Sequence, residues 1–341
     1  MTTDKKFMRE AIRLARKGLG QTRPNPAVGC VLVKNGRILA RGWHRRAGLP
    51  HAEIEALRAL KKISDARGAT AYVTLEPCST HGRTPPCTSA LIDAGIQRVV
   101  LGATDPNPKH RGRSFAIFRR AGLEVVTGVL APECAALNPE FHHAMTTGLP
   151  WVMAKCGMSL DGRLTRPPGE GPRITSAAAR ADAMKLRARV DAILVGAGTV
   201  RADDPSLTIR GLKKTTQPWR VVWAPRRRPP AQAKLFTDRH RARTLVLTHR
   251  TLRAALRELA RRGIQSVLVE GGGHTLGKLF DARLANEVTF YIAPLLAGGA
   301  TPSLGGRGLS LPRNAATITA PRYTLLGDNL RIQGLIAYRK A

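Results

Sequence analysis

Four side chains between residues 51 and 87 have the types and spacing for hydrolytic removal of an amine from a nitrogen heterocycle. His51-Ala52-Glu53 is followed by Glu76-Pro77-Cys78 and then by Cys87, with Ser79 to Pro86 between the two cysteines. One imidazole and two thiolates suit zinc, and three protein ligands leave the fourth position of a catalytic site to water. Zinc would lower the pKa of that water towards neutrality and supply a hydroxide nucleophile. Glu53 would carry protons from the water to a ring nitrogen and on to the departing ammonia. Taken singly, a buried histidine or a core cysteine is the commoner reading. All four in order, each beside a strand end or a helix start, favour the zinc site.

A second set lies in the other half. Gly271-Gly272-Gly273 leaves the apolar run at 266–270 and opens a helical stretch, so backbone N–H groups can approach a phosphate at the helix N-terminus. Gly196-Ala197-Gly198 also follows a strand-like run. Arg201 stands where the dinucleotide fingerprint needs its third glycine, so alone this run reads as no better than a turn.

Strands alternating with helices hold both sets. The first series is a helix over 7–15, strands over 28–33 and 38–40 joined by the Asn35-Gly36 turn, a helix over 52–62 and a strand over 71–75. Pro86 suits the first turn of a helix and places Cys87 at its positive end, where a thiolate is favoured; His51 opens the helix that carries Glu53. A strand over 98–102, a helix near 114–121 stopped by Gly122, and a strand over 123–126 complete this series. The segment 131–150 bridges to a second series. Its strands fall at 151–154, 192–196, 220–223, 244–247, 266–270, 287–292, 316–325 and 331–338, and its helices near 176–189 and 251–262. The Arg- and Pro-rich stretch 225–243 reads as an exposed loop. No internal repeat is present. The alternation predicts α/β sandwich architecture.

Composition bounds the function classes. At 341 residues and 43% hydrophobic content, the chain can bury two cores. No apolar run is long enough for a membrane span, and Asp4 and Glu10 argue against a secretion or mitochondrial leader. Five cysteines, few and odd in number, fit a reducing cytoplasm. The net charge of +33 would draw in a phosphate ester or a nucleic acid. Aromatics are only 4%, which leaves little for base stacking and favours the small ester.

The order His, Glu, Pro-Cys, Cys is that of zinc nucleobase deaminases, with eight residues between the cysteines where the common pattern has two. Three further features make the resemblance more specific: Thr22-Arg23-Pro24-Asn25-Pro26-Ala27-Val28-Gly29-Cys30, the run Leu75 to Cys87 with its Gly82-Arg83-Thr84-Pro85-Pro86, and Asp105-Pro106-Asn107-Pro108. With these the chain resembles the bifunctional deaminase–reductases of riboflavin biosynthesis. The resemblance continues through Lys155-Cys156-Gly157-Met158-Ser159-Leu160-Asp161-Gly162-Arg163, Ile174-Thr175-Ser176, Leu186-Arg187-Ala188, Gly196-Ala197-Gly198-Thr199, the run Asp203 to Arg210, and Val269-Glu270-Gly271-Gly272-Gly273.

It implies a cytidine-deaminase-like three-layer sandwich over 1–148 and a dihydrofolate-reductase-like domain over 149–341. The implied reactions are zinc-dependent deamination of 2,5-diamino-6-(ribosylamino)-4(3H)-pyrimidinone 5′-phosphate, then NADPH reduction of the ribosylamino group to ribitylamino. In the first domain it implies that Asn25 holds substrate, with His81 and Arg83 beside the pocket. In the second it assigns Gly157, Thr199, Asp203 and the run Gly272, Gly273, His274, Thr275, Leu276, Gly277, Lys278 to NADPH. Arg187, Leu207, Arg210 and Glu270 fall to the substrate, and Lys155, at a strand end, joins them. Two positions depart from the family: Arg173 stands where Trp is usual, and Gly171 where a substrate-contacting Ser is common. Arg173 could instead meet a cofactor phosphate. A nucleic-acid-editing deaminase, a deaminase with an inactive reductase domain, and a non-catalytic RNA-binding scaffold stay open as alternatives. The oligomeric state stays open too, with a homodimer among the forms allowed.

Overall fold

The computed structural model describes residues 3–80, 85–108, 110–164, 174–212, 216–308 and 315–339. The chain divides into two compact units, Met1–Gly148 and Leu149–Ala341.

The first unit contains α1 (Thr3–Ala15), β1 (Gly29–Lys34), β2 (Arg37–Trp43), α2 (Ala52–Arg58), β3 (Thr70–Leu75), α3 (Cys87–Asp93), β4 (Arg98–Ala103), α4 (Arg113–Arg120), β5 (Glu124–Val126), α5 (Ala131–Ala135) and α6 (Pro139–Thr147). Its sheet runs β2-β1-β3-β4-β5, antiparallel through β1 and parallel from β3 onwards. Residues alternate between the faces, as a strand requires. Cys30, Leu32, Ala71, Val73, Val99 and Leu101 pack against α2, α3 and α4, while Val31, Val33, Tyr72 and Val100 meet α1 and Cys134 of α5. Helices therefore cover both faces, giving the three layers expected. Gly42 is required by this packing: a Cβ there would collide with Ala52 O and Ala56 N, so only glycine lets α2 lie flat on β2.

The second unit contains β6 (Trp151–Ser159), α7 (Ala177–Ala188), β7 (Ala192–Gly196), α8 (Ala197–Asp203), β8 (Trp219–Trp223), α9 (Lys234–Thr237), β9 (Thr244–Leu247), α10 (Leu252–Arg261), β10 (Ser266–Val269), α11 (Gly273–Asp281), β11 (Glu287–Ala293), β12 (Thr317–Leu326) and β13 (Asn329–Ala337). The eight strands run β12-β13-β11-β6-β10-β7-β8-β9, parallel from β11 to β9, with an antiparallel hairpin at the β12 edge. The parallel strands are buried on both faces and read as near-continuous apolar runs. Val152, Ala154, Leu194 and Val267 face α10 and α11, and Met153, Ile193, Val195 and Leu268 face α7.

Several elements differ from expectation. The α-helix expected over 52–62 ends at Arg58, and a 3-10 turn follows at Ile63–Ala66. Strand β6 runs on to Ser159, because it pairs residue by residue with β11 as far as Ala293. Helices α5 and α6 occupy the bridging segment. The stretch 225–243 is not simply an exposed loop, since Leu235 of α9 is fully buried in the core with Ala233. Among the described residues no helix is long and apolar enough to cross a membrane.

Candidate active sites

In the first unit the sequence delivers its reactive groups at element boundaries. His51 is the N-cap of α2, in extended conformation (φ −72°, ψ 166°), which leaves Glu53 in the first turn with its side chain buried. Cys78 leaves β3, and Cys87 opens α3 behind Pro86, the N-cap residue. His51 Nδ1 lies 3.6 Å from Cys78 Sγ and 3.4 Å from Cys87 Sγ, and the three atoms all fall within 4.8 Å of one another. Ordinary Zn–N and Zn–S bonds at tetrahedral angles put a nitrogen and a sulfur about 3.5 Å apart. The donor set therefore fits zinc in both chemistry and spacing, and three protein ligands would leave its fourth position to water.

Electrostatics prepare the same ligands. The Cys78 thiol is pulled down to about 4, chiefly by the hydrogen bond from Cys87, then by His51 and by the Cys87 backbone N–H at 3.3 Å. Cys87, donating to that thiolate and buried, is pushed up. A metal binding here would displace the proton that the two thiols share. His51 is raised by its contact with Cys78. Burial lifts Glu53 to about 7, the Cys78 charge adds to the rise, and His51 opposes it. A cation on the ligands would draw Glu53 down from there, leaving it able to take and return a proton near neutral pH.

Sequence reasoning missed the groups behind Asn25. His44, buried at the end of β2, donates from Nδ1 to Pro50 O (2.9 Å), which fixes its tautomer; its Nε2 then accepts from Asn25 Nδ2 (3.2 Å). Burial lowers the His44 pKa and keeps the ring neutral, edge-on to His51 at 5.3 Å. Asn25 is thereby turned so that its Oδ1 has no protein partner among the described residues. Asn138 clamps the same loop through both backbone atoms of Ala27. Glu76 accepts from the backbone N–H groups of Asp105, Gly112 and Ser114 and from Ser114 Oγ, fixing the turn that presents Cys78. A lone histidine, asparagine or glutamate gives no sequence signal for such roles. His81 and Arg83 lie outside the described residues.

The second unit contains a cleft of about 2260 Å³ along the C-terminal ends of its parallel strands, roomier than the 300–1,000 Å³ or so of a single-ligand pocket. Of the expected residues, Lys155, Gly157, Arg187, Thr199, Asp203, Arg210, Glu270, Gly272, Gly273, His274, Thr275 and Lys278 line it. Leu207 and Leu276 do not; both side chains are buried in the core. Gly277 does not either. Its Cα presses against Gly305, where a Cβ would collide with the backbone. Arg173 and Gly171 lie outside the described residues.

Two helix N-termini converge on this cleft. Gly196 caps α8, which sequence reasoning took for a turn, and Gly272 caps α11; Gly272 N donates to Thr199 Oγ1 at 3.2 Å and ties them together. Such an arrangement favours a diphosphate. Deeper in, Glu270 holds Arg187 bidentately (2.7 and 3.0 Å), with Lys155 Nζ at 3.7 Å, and Arg187 also reaches Thr208 O (2.8 Å). Burial would raise the Glu270 pKa, but Arg187 and Lys155 overcome it and hold the carboxylate at about 2. Arg187 is thus already neutralised, whereas exposed Arg210 has no acidic partner among the described residues. Sequence reasoning also missed Arg226, Arg227 and Arg250, which line the β8–β9 end of the cleft.

These sites define a two-domain enzyme with a zinc deaminase unit and a nucleotide-dependent reductase unit. The description "Cytidine and deoxycytidylate deaminase zinc-binding region" matches residues 1–103, and "RibD C-terminal domain" matches residues 150–322. The riboflavin biosynthesis protein RibD of Escherichia coli is 40% identical over 94% of each chain, and that of Actinobacillus pleuropneumoniae is 39% identical over 98% of this chain and 96% of its own. Among solved structures, RibD of Acinetobacter baumannii superposes with a TM-score of 0.89 at 36% identity, covering 98% of this chain and 99% of its own. A diaminohydroxyphosphoribosylaminopyrimidine deaminase/5-amino-6-(5-phosphoribosylamino)uracil reductase from Thermotoga maritima does so at 0.84 and 34% identity, over the same shares. The chain belongs to the RibD family of bifunctional riboflavin biosynthesis enzymes, with zinc and NADPH as cofactors.

Proposed function

We propose that this chain deaminates 2,5-diamino-6-(ribosylamino)-4(3H)-pyrimidinone 5′-phosphate and then reduces the ribosylamino uracil phosphate to its ribitylamino product. The observation that carries the reading is the His51–Cys78–Cys87 cluster with the buried Glu53 carboxyl in the adjoining helical turn. Zinc held by these three ligands supplies Lewis-acid activation of water. Glu53 would take one proton from the attacking water and deliver it to the ring nitrogen, then take the hydroxyl proton left on the adduct and pass it to the departing amine as the C–N bond breaks and the carbonyl forms, so that water enters and ammonia leaves. Asn25, oriented by His44, holds the pyrimidine edge through Oδ1.

In the second unit the bound NADPH would supply the hydride for the C=N carbon of the ring-opened ribosyl chain, the proton for the nitrogen coming from solvent. The Gly272–Gly273 helix start would hold the cofactor diphosphate, and Arg226, Arg227 and Arg250 would offer charge for its third phosphate. Arg210 meets the substrate phosphate, and Lys155 and Arg187 are held in the cleft by Glu270. A cytoplasmic location suits five free cysteines. A coupled assay on zinc-loaded protein tests the reading: ammonia should appear first, followed by NADPH oxidation. No ammonia from this substrate would overturn the assignment.

A further inference from the structure

Arg220, the second residue of β8, is fully buried, yet every one of its five N–H groups has an acceptor. Nε donates to Thr244 Oγ1 (3.1 Å), Nη1 to Asp238 Oδ2 (2.6 Å) and Ser206 O (3.1 Å), and Nη2 to Asp238 Oδ1 and Leu235 O (both 2.8 Å). An aliphatic side chain would fill a core strand without the cost of burying a charge. The guanidinium instead joins three separate segments of the chain, two of them through backbone carbonyls, and one of these is the segment from Asp204 to Arg210.

That segment is held along almost its whole length. Asp204 Oδ1 accepts from Lys234 N, Ser206 O from Arg220, and Thr208 O from Arg187. Ile209 gives its N–H to Gln217 Oε1 (2.7 Å) and takes Gln217 Nε2 on its carbonyl (3.2 Å). Between the two clamps Leu207 adopts φ +47°, a left-handed conformation that a branched side chain rarely accepts, with its side chain buried in the core. Such strain persists only where the surroundings over-determine it. Arg210, one residue beyond the second clamp, lines the cleft.

We propose that Arg220 and Gln217 are positioning residues for the reductase reaction, presetting the Asp204–Arg210 segment so that Arg210 and the Arg187–Thr208 contact meet the phosphorylated substrate without rearrangement. The proposal rests on the assignment of Arg187 and Arg210 to that substrate. Neither Arg220 nor Gln217 lines the cleft, so their effect passes through the segment they hold.

The test is steady-state reductase kinetics on the deaminated uracil substrate with Arg220→Lys, Gln217→Leu and Arg210→Ala in the full chain. Both positioning variants should raise KM for the uracil substrate about tenfold, keep KM for NADPH within about twofold, and leave ammonia release by the first unit unchanged. Loss of order alone would move both reductase KM values together, and that result would overturn the proposal. If Arg220→Lys does not fold, Gln217→Leu, at a half-exposed position, decides alone. Should Arg210→Ala raise KM for the uracil substrate while Gln217→Leu leaves it unchanged, the positioning role falls and the substrate assignment stands. Should Arg210→Ala change nothing, the substrate assignment itself falls and takes the proposal with it.

Discussion

Glu270→Gln removes one carboxylate that two cations share. Glu270 and Arg187 are 8% and 11% exposed, so solvent offers little relief to an arginine left without its partner. Breaking a buried ion pair from one side costs about 3–5 kcal/mol. A second route gives a similar size: lowering the carboxyl from 4.5 to about 2 on folding corresponds to about 3 kcal/mol of stability at neutral pH. For a unit of this size each kcal/mol is worth about 2–4 °C in Tm, so the reductase transition should fall by about 6–20 °C. Because the folded pKa is depressed, this stability is fully present above pH 4.5 and is lost as pH falls towards 2. Differential scanning calorimetry from pH 7 downwards should show a constant gap between wild type and variant, closing only below about pH 4.5. A Tm shift under about 2 °C at pH 7, or a gap that persists unchanged at pH 2, would refute a load shared between Glu270, Arg187 and Lys155.

Three further outcomes are expected. Replacing His44 with Ala frees the Asn25 amide and should raise the deaminase KM about tenfold, with zinc content unchanged by elemental analysis and the reductase untouched. Cys78→Ser removes the ligand whose thiolate is already favoured at neutral pH; metal analysis should show zinc falling below a tenth of stoichiometric, and ammonia release should fall with it. Chelation of the wild-type protein should stop ammonia release while NADPH oxidation on the deaminated substrate continues, and zinc should restore the first activity.

How much of this was legible in the sequence depends on whether a role is local. His51, Cys78 and Cys87, with Glu53 two residues after His51, could be singled out directly, because one imidazole and two thiols in that order are a chemically distinctive donor set, and His51 and Cys87 stand at helix starts while Cys78 follows a strand. The α/β character of the first unit followed from strands alternating with helices, and its three layers from the family resemblance. Strand β6 was read short because Lys155 to Ser159 includes polar residues and Gly157, and only pairing with β11 reveals the extension. Helix α8 hid behind Gly196-Ala197-Gly198, whose weak helix propensity is overridden by packing of Ala197 and Val200. Contacts between distant residues were invisible: Arg187 meets Glu270 across 83 positions, and Asn138 meets Ala27 across 111. Leu276 and Gly277 fell inside a run assigned to cofactor, but helical periodicity turns their side of α11 away from the cleft, into the core and onto Gly305.

Two separate chemistries in one chain is the central claim, and Glu53→Gln in the zinc-loaded protein tests it most directly, with each substrate supplied in turn. Ammonia release should fall by about a thousandfold or more, while NADPH oxidation on the deaminated substrate stays within about twofold of wild type. Unimpaired ammonia release, or a parallel loss of both activities in a folded, zinc-replete protein, would contradict the claim.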